Sequence, residues 1–165
     1  MNVPHSPARR DYEAMAREVR DGLAAEATPW QRMQAVVDAI WRRLGNDHGG
    51  VSWVGFYLPV DDRTELVLGP RRDKPACSPI GLHGVCGRAF TTQQPAVVRD
   101  VAALGDRYIA CDPRDRSEAV VPVTDCQGRC VAVLDLDSHD VGAFDQGDLD
   151  GLRRVLAAAD LGPSS

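Results

Sequence analysis

No stretch of this 165-residue sequence approaches the ~18 consecutive apolar residues that a membrane-spanning helix needs. Its opening, MNVPHSPARRDYEAM, carries charges with no apolar run behind them, so a secretory leader is not expected and the cytoplasm is the expected compartment. CxxC is missing, and the five cysteines, at 77, 86, 111, 126 and 130, are odd in number, which argues against a structural disulfide framework. CQGRC at 126 to 130 has no close histidine and makes only a weak metal half-site. Neither Gly-Lys-Ser/Thr nor the dinucleotide glycine spacing occurs, which leaves the glycines of GLHGVCG a weak case for a phosphate loop. Nineteen Lys and Arg stand against twenty-four Asp and Glu, for a net charge of −5, and no basic stripe alternates with aromatics. Nucleic acid and anionic membranes are therefore not expected partners. Repeats, low-complexity segments and dividing linkers are also missing, so the expectation is one domain over 1–165 with a core from about 12 to 159.

What is present is a helical pattern at both ends and a period of two between them. SPARRDYEAMAREVRDGL predicts a first helix with Ser6 as cap, Pro7 at its first position, and Tyr12, Met15, Val19 and Leu23 along one side. In TPWQRMQAVVDAIWRRL, Thr28 caps, Pro29 follows and Gln31 completes a capping box, while Trp30, Met33, Val37, Ile40, Trp41 and Leu44 recur at helical spacing. The last helix follows a cap at Asp145, with Phe144 and Leu149 as a hydrophobic staple and Leu149, Leu152, Leu156 and Ala159 as its inner stripe. VSWVGFYL, ELVLG, AVV at 96 to 98, EAVVPV and CVAVLDLDS read as strands, and GVCGRAFTT as a short helix entered through glycines. This order implies an α+β fold, a largely antiparallel central sheet with the N- and C-terminal helices packed mainly on one face. The other face is left for loops to build a pocket.

Strand parity then selects candidate residues. Asp135 and Asp137 share a face, with Cα atoms about 6.5 to 7 Å apart, and Val131 and Val133 are expected to precede them on it. A strand running out into solvent would explain the pair; a site for an ammonium, a metal or a shared proton would explain it too. Glu118 opens the strand that pairs with theirs, so three carboxylates are expected to crowd one rim. Trp53, Gly55 and Tyr57 share the face opposite to that of Val54, Phe56 and Leu58, and the glycine lets something approach a possible pocket wall. Cys86, near a helix start, is expected to have a lowered pKa if its thiol faces the amides. Cys111, in DRYIACDPRDRSE, is either a packing residue or a reactive one.

WVGFY, GP followed by KPAC at 74 to 77, GVCG, IACD, SE before a VVP strand, and LDLDS occur together and in the order found in the free methionine-(R)-sulfoxide reductases, a branch of the GAF-domain fold. The chain resembles that family from about residue 12 to 159. The resemblance implies a GAF-like fold and thiol-dependent reduction of free L-methionine-(R)-sulfoxide, an enzyme activity tied to oxidative stress. It implies Cys111 as nucleophile, Cys77 as its disulfide partner, and Cys86 as a further redox partner or alternative resolver. Trp53, Tyr57, Glu118, Asp135 and Asp137 fall on the pocket positions. A thioredoxin-like dithiol would reduce the disulfide, no metal or organic cofactor is needed, and a homodimer fits the fold. Ionised carboxylates would raise the Cys111 pKa, so an amide-lined turn or Arg114 or Arg116 is expected to compensate. Two departures, Arg72-Asp73 after GP and GDRY before IACD, are expected to reshape the loop over the pocket. A non-catalytic GAF-type sensor is the alternative reading, and a zinc module using cysteines with His83 or His139 is a third. Cys126 and Cys130 match no redox position and are expected to fill space or sit in the hairpin turn.

Overall fold

The N- and C-terminal helices start at side chains that satisfy their first free amides. The computed structural model describes residues 10–46, 50–109 and 111–162. Helix α1 spans Tyr12–Gly22 and is capped by Asp11, whose carboxylate accepts from the Ala14 amide at 2.9 Å. The expected cap and first residue, Ser6 and Pro7, lie outside the described residues. Asp caps as well as Ser does, and Tyr12 is where burial begins: its hydroxyl donates to Asp148 Oδ1 at 2.6 Å. Helix α2, Pro29–Leu44, has the Thr28/Gln31 capping box. Met33, Val36, Val37, Ile40 and Leu44 form its buried stripe, and Trp41 packs partly against it. Trp30 departs from the expected stripe: at the second position of the helix it is 52% exposed, beyond the reach of the core. Helix α4, Gln146–Ala158, starts from an Asp145/Asp148 capping box, and Phe144 and Leu149 are both buried at the staple positions.

Six strands form one sheet: β1 Trp53–Pro59, β2 Glu65–Arg72, β3 Ile80–Gly81, β4 Ala96–Val98, β5 Ser117–Thr124 and β6 Cys130–Ser138. Their order is β3-β2-β1-β6-β5-β4, with every neighbouring pair antiparallel. Strand alternation divides the interior into two layers. Val54, Phe56, Leu134 and Leu136 face α1, α2 and α4 in the larger one. Trp53, Tyr57, Val120 and Val133 face helix α3, Val85–Thr92, and the connecting loops in the smaller one. The α+β architecture, an antiparallel sheet with the terminal helices on one face, is thus the observed one.

Val131 corrects the expected parity. The β5/β6 register passes from Val123 opposite Ala132 to Thr124 opposite Cys130, skipping Val131. This bulge turns Val131 toward the helix-side core, whereas Val133, Asp135 and Asp137 keep to the opposite face. The two-residue strand β3 and the 3₁₀ segment Val101–Arg107 have no counterpart in the sequence reading. Among the described residues no helix is long and apolar enough to cross a membrane.

Candidate active site

The acids come together because three strands are in register. Glu118 on β5 lies opposite Asp137 on β6, and Asp137 and Asp135 lie opposite Trp53 and Gly55 on β1. Residues directly opposite each other project to one face. Glu118, Asp135, Asp137, Trp53 and Tyr57 therefore line one pocket, with Cys86 of α3 and Cys111. Gly55 serves the wall: a β-carbon there would come 2.8 Å from Cζ2 of the Trp53 indole, so what the glycine admits is Trp53 itself. The Trp53 and Tyr57 rings stand 6.1 Å apart, tilted by 38°.

The three carboxyls crowd one end of the sheet as expected, and the reading in which the strand simply runs out into solvent does not hold. Glu118 and Asp135 are only 4% and 5% exposed, because α3 and the loop before β5 cover that end of the sheet. Glu118 Oε2 and Asp135 Oδ1 have no hydrogen-bond partner among the described residues. Burial above all, then the charge of Asp137, pushes the Glu118 carboxyl up to about 8. Burial and Glu118 raise Asp135 well above the carboxylate range, and burial with Asp135 does the same to Asp137. A fourth acid, Asp115, also lines the pocket; burial and Asp112 raise its pKa, although it accepts from Ser52 Oγ at 3.2 Å. Asp115 stands in a charged stretch of the sequence, and its position three residues before Glu118 is the one signal there that points to the pocket.

Cys86 also differs from expectation. Its thiol turns toward the acids, 3.8 Å from Glu118 Oε1, and not toward the α3 amides. Burial, Asp135 and Glu118 consequently push its pKa up instead of down.

At the pocket's edge Cys77 and Cys111 form a disulfide, with Cα atoms 5.5 Å apart and a sequence separation of 34. The Cys77 loop is fastened by the pocket's own aromatics. Trp53 Nε1 donates to the Lys74 carbonyl at 2.9 Å and the Tyr57 hydroxyl to the Cys77 carbonyl at 2.8 Å. In this oxidised state the space between these walls is small, about 40 Å³.

The departures noted in the sequence take shape here. Arg72 points away from the pocket, pairing with Asp38 at 2.9 Å. In GDRY, Gly105 supplies a turn through its positive φ of 55°, and Tyr108 walls the pocket. Arg114 is committed to Asp112, beside Cys111, together with Lys74, whereas Arg116 turns to Asp100. Cys126 is exposed, Cys130 is buried on β6, and neither joins a group of three metal-ligating residues among the described ones. Cys86, Glu118 and Asp135 bring ligand atoms within 4.8 Å of one another, as do Asp112, Asp115 and His139. The first set has a soft donor but holds protons at neutral pH; the second is already paired with cations. His83 is exposed and joins neither.

Comparison with known proteins agrees with this geometry. The family model for the GAF domain matches residues 26–160. Free methionine-R-sulfoxide reductase of Escherichia coli is 42% identical over 148 residues, covering 88% of this chain and 84% of that protein. The Saccharomyces cerevisiae enzyme of the same name is 35% identical over 138 residues, covering 82% and 76%. The solved structure of free methionine-R-sulfoxide reductase from Neisseria meningitidis, in complex with its substrate, superposes with a TM-score of 0.78 at 34% identity, over 90% of this chain and 86% of that one. With a pocket of buried acids beside a paired thiol, and with these relatives spanning most of its length, the chain belongs to the free methionine-R-sulfoxide reductase family of GAF-domain proteins.

Proposed function

We propose that this chain reduces free L-methionine-(R)-sulfoxide to methionine, with Cys111 as nucleophile and Cys77 as the resolving thiol. The observation that carries the reading is the Cys77–Cys111 disulfide at the edge of a pocket whose buried acids present two unpartnered oxygens. A sulfoxide sulfur becomes electrophilic as its oxygen gains a proton, so the reaction needs a thiolate and a neutral carboxylic acid together. Glu118, held neutral up to about 8, can donate that proton at physiological pH. Oxygen passes from the sulfoxide to Cys111, leaving methionine and a sulfenic acid; Cys77 condenses with it, releasing water and forming the disulfide. A thioredoxin-like dithiol then restores both thiols by exchange. Cys86, sealed beside Glu118 with a raised pKa, is the weaker resolver.

The substrate's ammonium would ionise one of the remaining acids, Asp135 or Asp137, by supplying the opposite charge that burial otherwise denies them. A peptide-bound sulfoxide lacks that ammonium. A sensor reading leaves the thiol pair without a use. Steady-state turnover of the free sulfoxide epimers with a dithiol reductant is the test: the R epimer should be consumed, and the S epimer and a sulfoxide-containing peptide should not. Comparable turnover of the peptide would overturn the specificity, and no turnover of either free epimer would leave the sensor.

A further inference from the structure

Lys74 is the only lysine in the chain; all its other Lys/Arg positions are arginine. It stands three residues before Cys77, and its Nζ donates to Asp112 Oδ2 at 2.7 Å, on the residue that follows Cys111. An ion pair thus runs beside the disulfide, between the same two loops. Among the described residues it is the one hydrogen bond joining residues 73–79 to residues 108–116. Trp53 and Tyr57 hold the Cys77 loop to β1, but neither ties it to the Cys111 loop.

Asp112 is well prepared as the fixed half. Arg114 donates to it from its main-chain amide at 3.0 Å, from Nε at 3.0 Å and from Nη2 at 2.9 Å. These bonds orient the carboxylate before Lys74 arrives; the Asp112 side chain is only 14% exposed and that of Lys74 40%, so the carboxylate half of the pair is the one shielded from solvent. His139 Nε2 lies 3.7 Å from the same oxygen and adds no direct hydrogen bond.

Resting on the functional reading above, we propose that Lys74 and Asp112 form an electrostatic latch that positions Cys77 for closure on oxidised Cys111. Both are positioning residues for recycling and take no part in sulfoxide reduction. In the closing step the Cys77 sulfur attacks the Cys111 sulfur, the S–S bond forms, the S–O bond breaks, and hydroxide leaves as water with the proton from Cys77. No further oxidant is involved. Before that bond exists nothing covalent links the loops, and the latch is what keeps the two sulfurs within reach.

The test separates the two half-reactions in the full-length protein. Reduced enzyme is mixed with one equivalent of free methionine-(R)-sulfoxide, and methionine and the Cys77–Cys111 disulfide are followed by rapid quench and mass spectrometry. A parallel arm forms the Cys111 sulfenic acid with one equivalent of hydrogen peroxide, without substrate. Lys74→Met is expected to slow disulfide closure about fivefold in both arms and to raise trapping of the sulfenic acid by dimedone, with the first methionine formed at the wild-type rate. Lys74→Arg should restore most of the closure rate. Asp112→Asn should match Lys74→Met, and the double variant should be no slower.

Because Lys74 is the only lysine, acetylating the oxidised protein and then reducing it tests the same charge without refolding. Identically treated Lys74→Arg controls for the N-terminal amine. Closure at the wild-type rate in Lys74→Met or in the acetylated protein overturns the latch, as does methionine formation that falls in step with closure. Closure after peroxide with no methionine from the sulfoxide overturns the functional reading alone. Methionine formation with closure indifferent to Lys74 overturns the latch alone.

Discussion

Glu118→Gln should make the protein more stable and nearly inactive at the same time. The substitution keeps the side chain's shape and removes a proton that the folded state holds up to about 8, against an ordinary value of 4.5. A buried acid with a raised pKa contributes its full stability below the unfolded value and loses it as pH rises toward the folded value. Between pH 4.5 and about 8, Glu118 alone therefore costs the folded chain ~1.4 kcal/mol for each pH unit. Carried across that window the loss is roughly 5 kcal/mol, a large part of the 5 to 15 kcal/mol that typically holds a domain together. Glutamine does not ionise, so the variant should match the wild type near pH 4.5 and exceed it by several kcal/mol at pH 8. Relief of Asp135, which Glu118 pushes up, works in the same direction. The assay is urea unfolding at a series of pH values, with the Cys77–Cys111 disulfide intact in both proteins. Activity should fall ~100-fold or more, because a positioned general acid contributes about 10² to 10⁴. If the two stability profiles run parallel from pH 4.5 to 8, Glu118 is ionised and partnered in the folded state, and the account of the buried acids fails.

Other substitutions test the remaining roles. Cys111→Ser should yield no methionine in a single turnover, whereas Cys77→Ser should release one equivalent and then stall; quantifying methionine per enzyme without reductant distinguishes them. Asp135→Asn and Asp137→Asn should each lower kcat/KM at least tenfold, or ~1.4 kcal/mol of transition-state stabilisation. A loss carried by kcat marks the proton donor and one carried by KM marks the ammonium contact, which steady-state kinetics resolves. Cys86, buried among acids, should alkylate far more slowly than exposed Cys126 when the native protein is treated with iodoacetamide at pH 8. Equal rates by peptide mass mapping would contradict the orientation of its thiol.

The parts of the fold that were legible are those set by short-range chemistry. Thr28 and Gln31, or Asp145 before an apolar stripe, specify a helix start whatever lies around them, and both caps form. Parity placed Trp53 and Tyr57, and Asp135 and Asp137, on one face because each pair sits on an uninterrupted stretch of strand. It failed at Val131, where one extra residue in β6 reverses every assignment on its far side. Alternation alone contains no sign of that bulge. Trp30 was misplaced for a related reason: helical spacing says which residues share a side but not how far along the helix the core extends.

The chemistry divides along the same line. The acids stand on β5 and β6, whose register fixes their spacing, and burial follows from what the tertiary fold lays over them. The thiols that must meet and separate stand on two loops whose approach no local rule encodes across 34 residues. Their pairing was therefore legible only through the resemblance of whole motifs. The direction of the Cys86 thiol, which looked as if the α3 amides would decide it, is decided by Glu118, an element away. This separation has a functional logic. In the proposed reaction a carboxyl stays neutral and aimed while sulfur chemistry proceeds, which a paired strand favours; a cysteine would accept substrate, then a second sulfur, then an external dithiol, which a loop held by reversible bonds permits. Rigid acids and movable thiols are two demands of one reaction, and the sheet and its covering loops meet them separately.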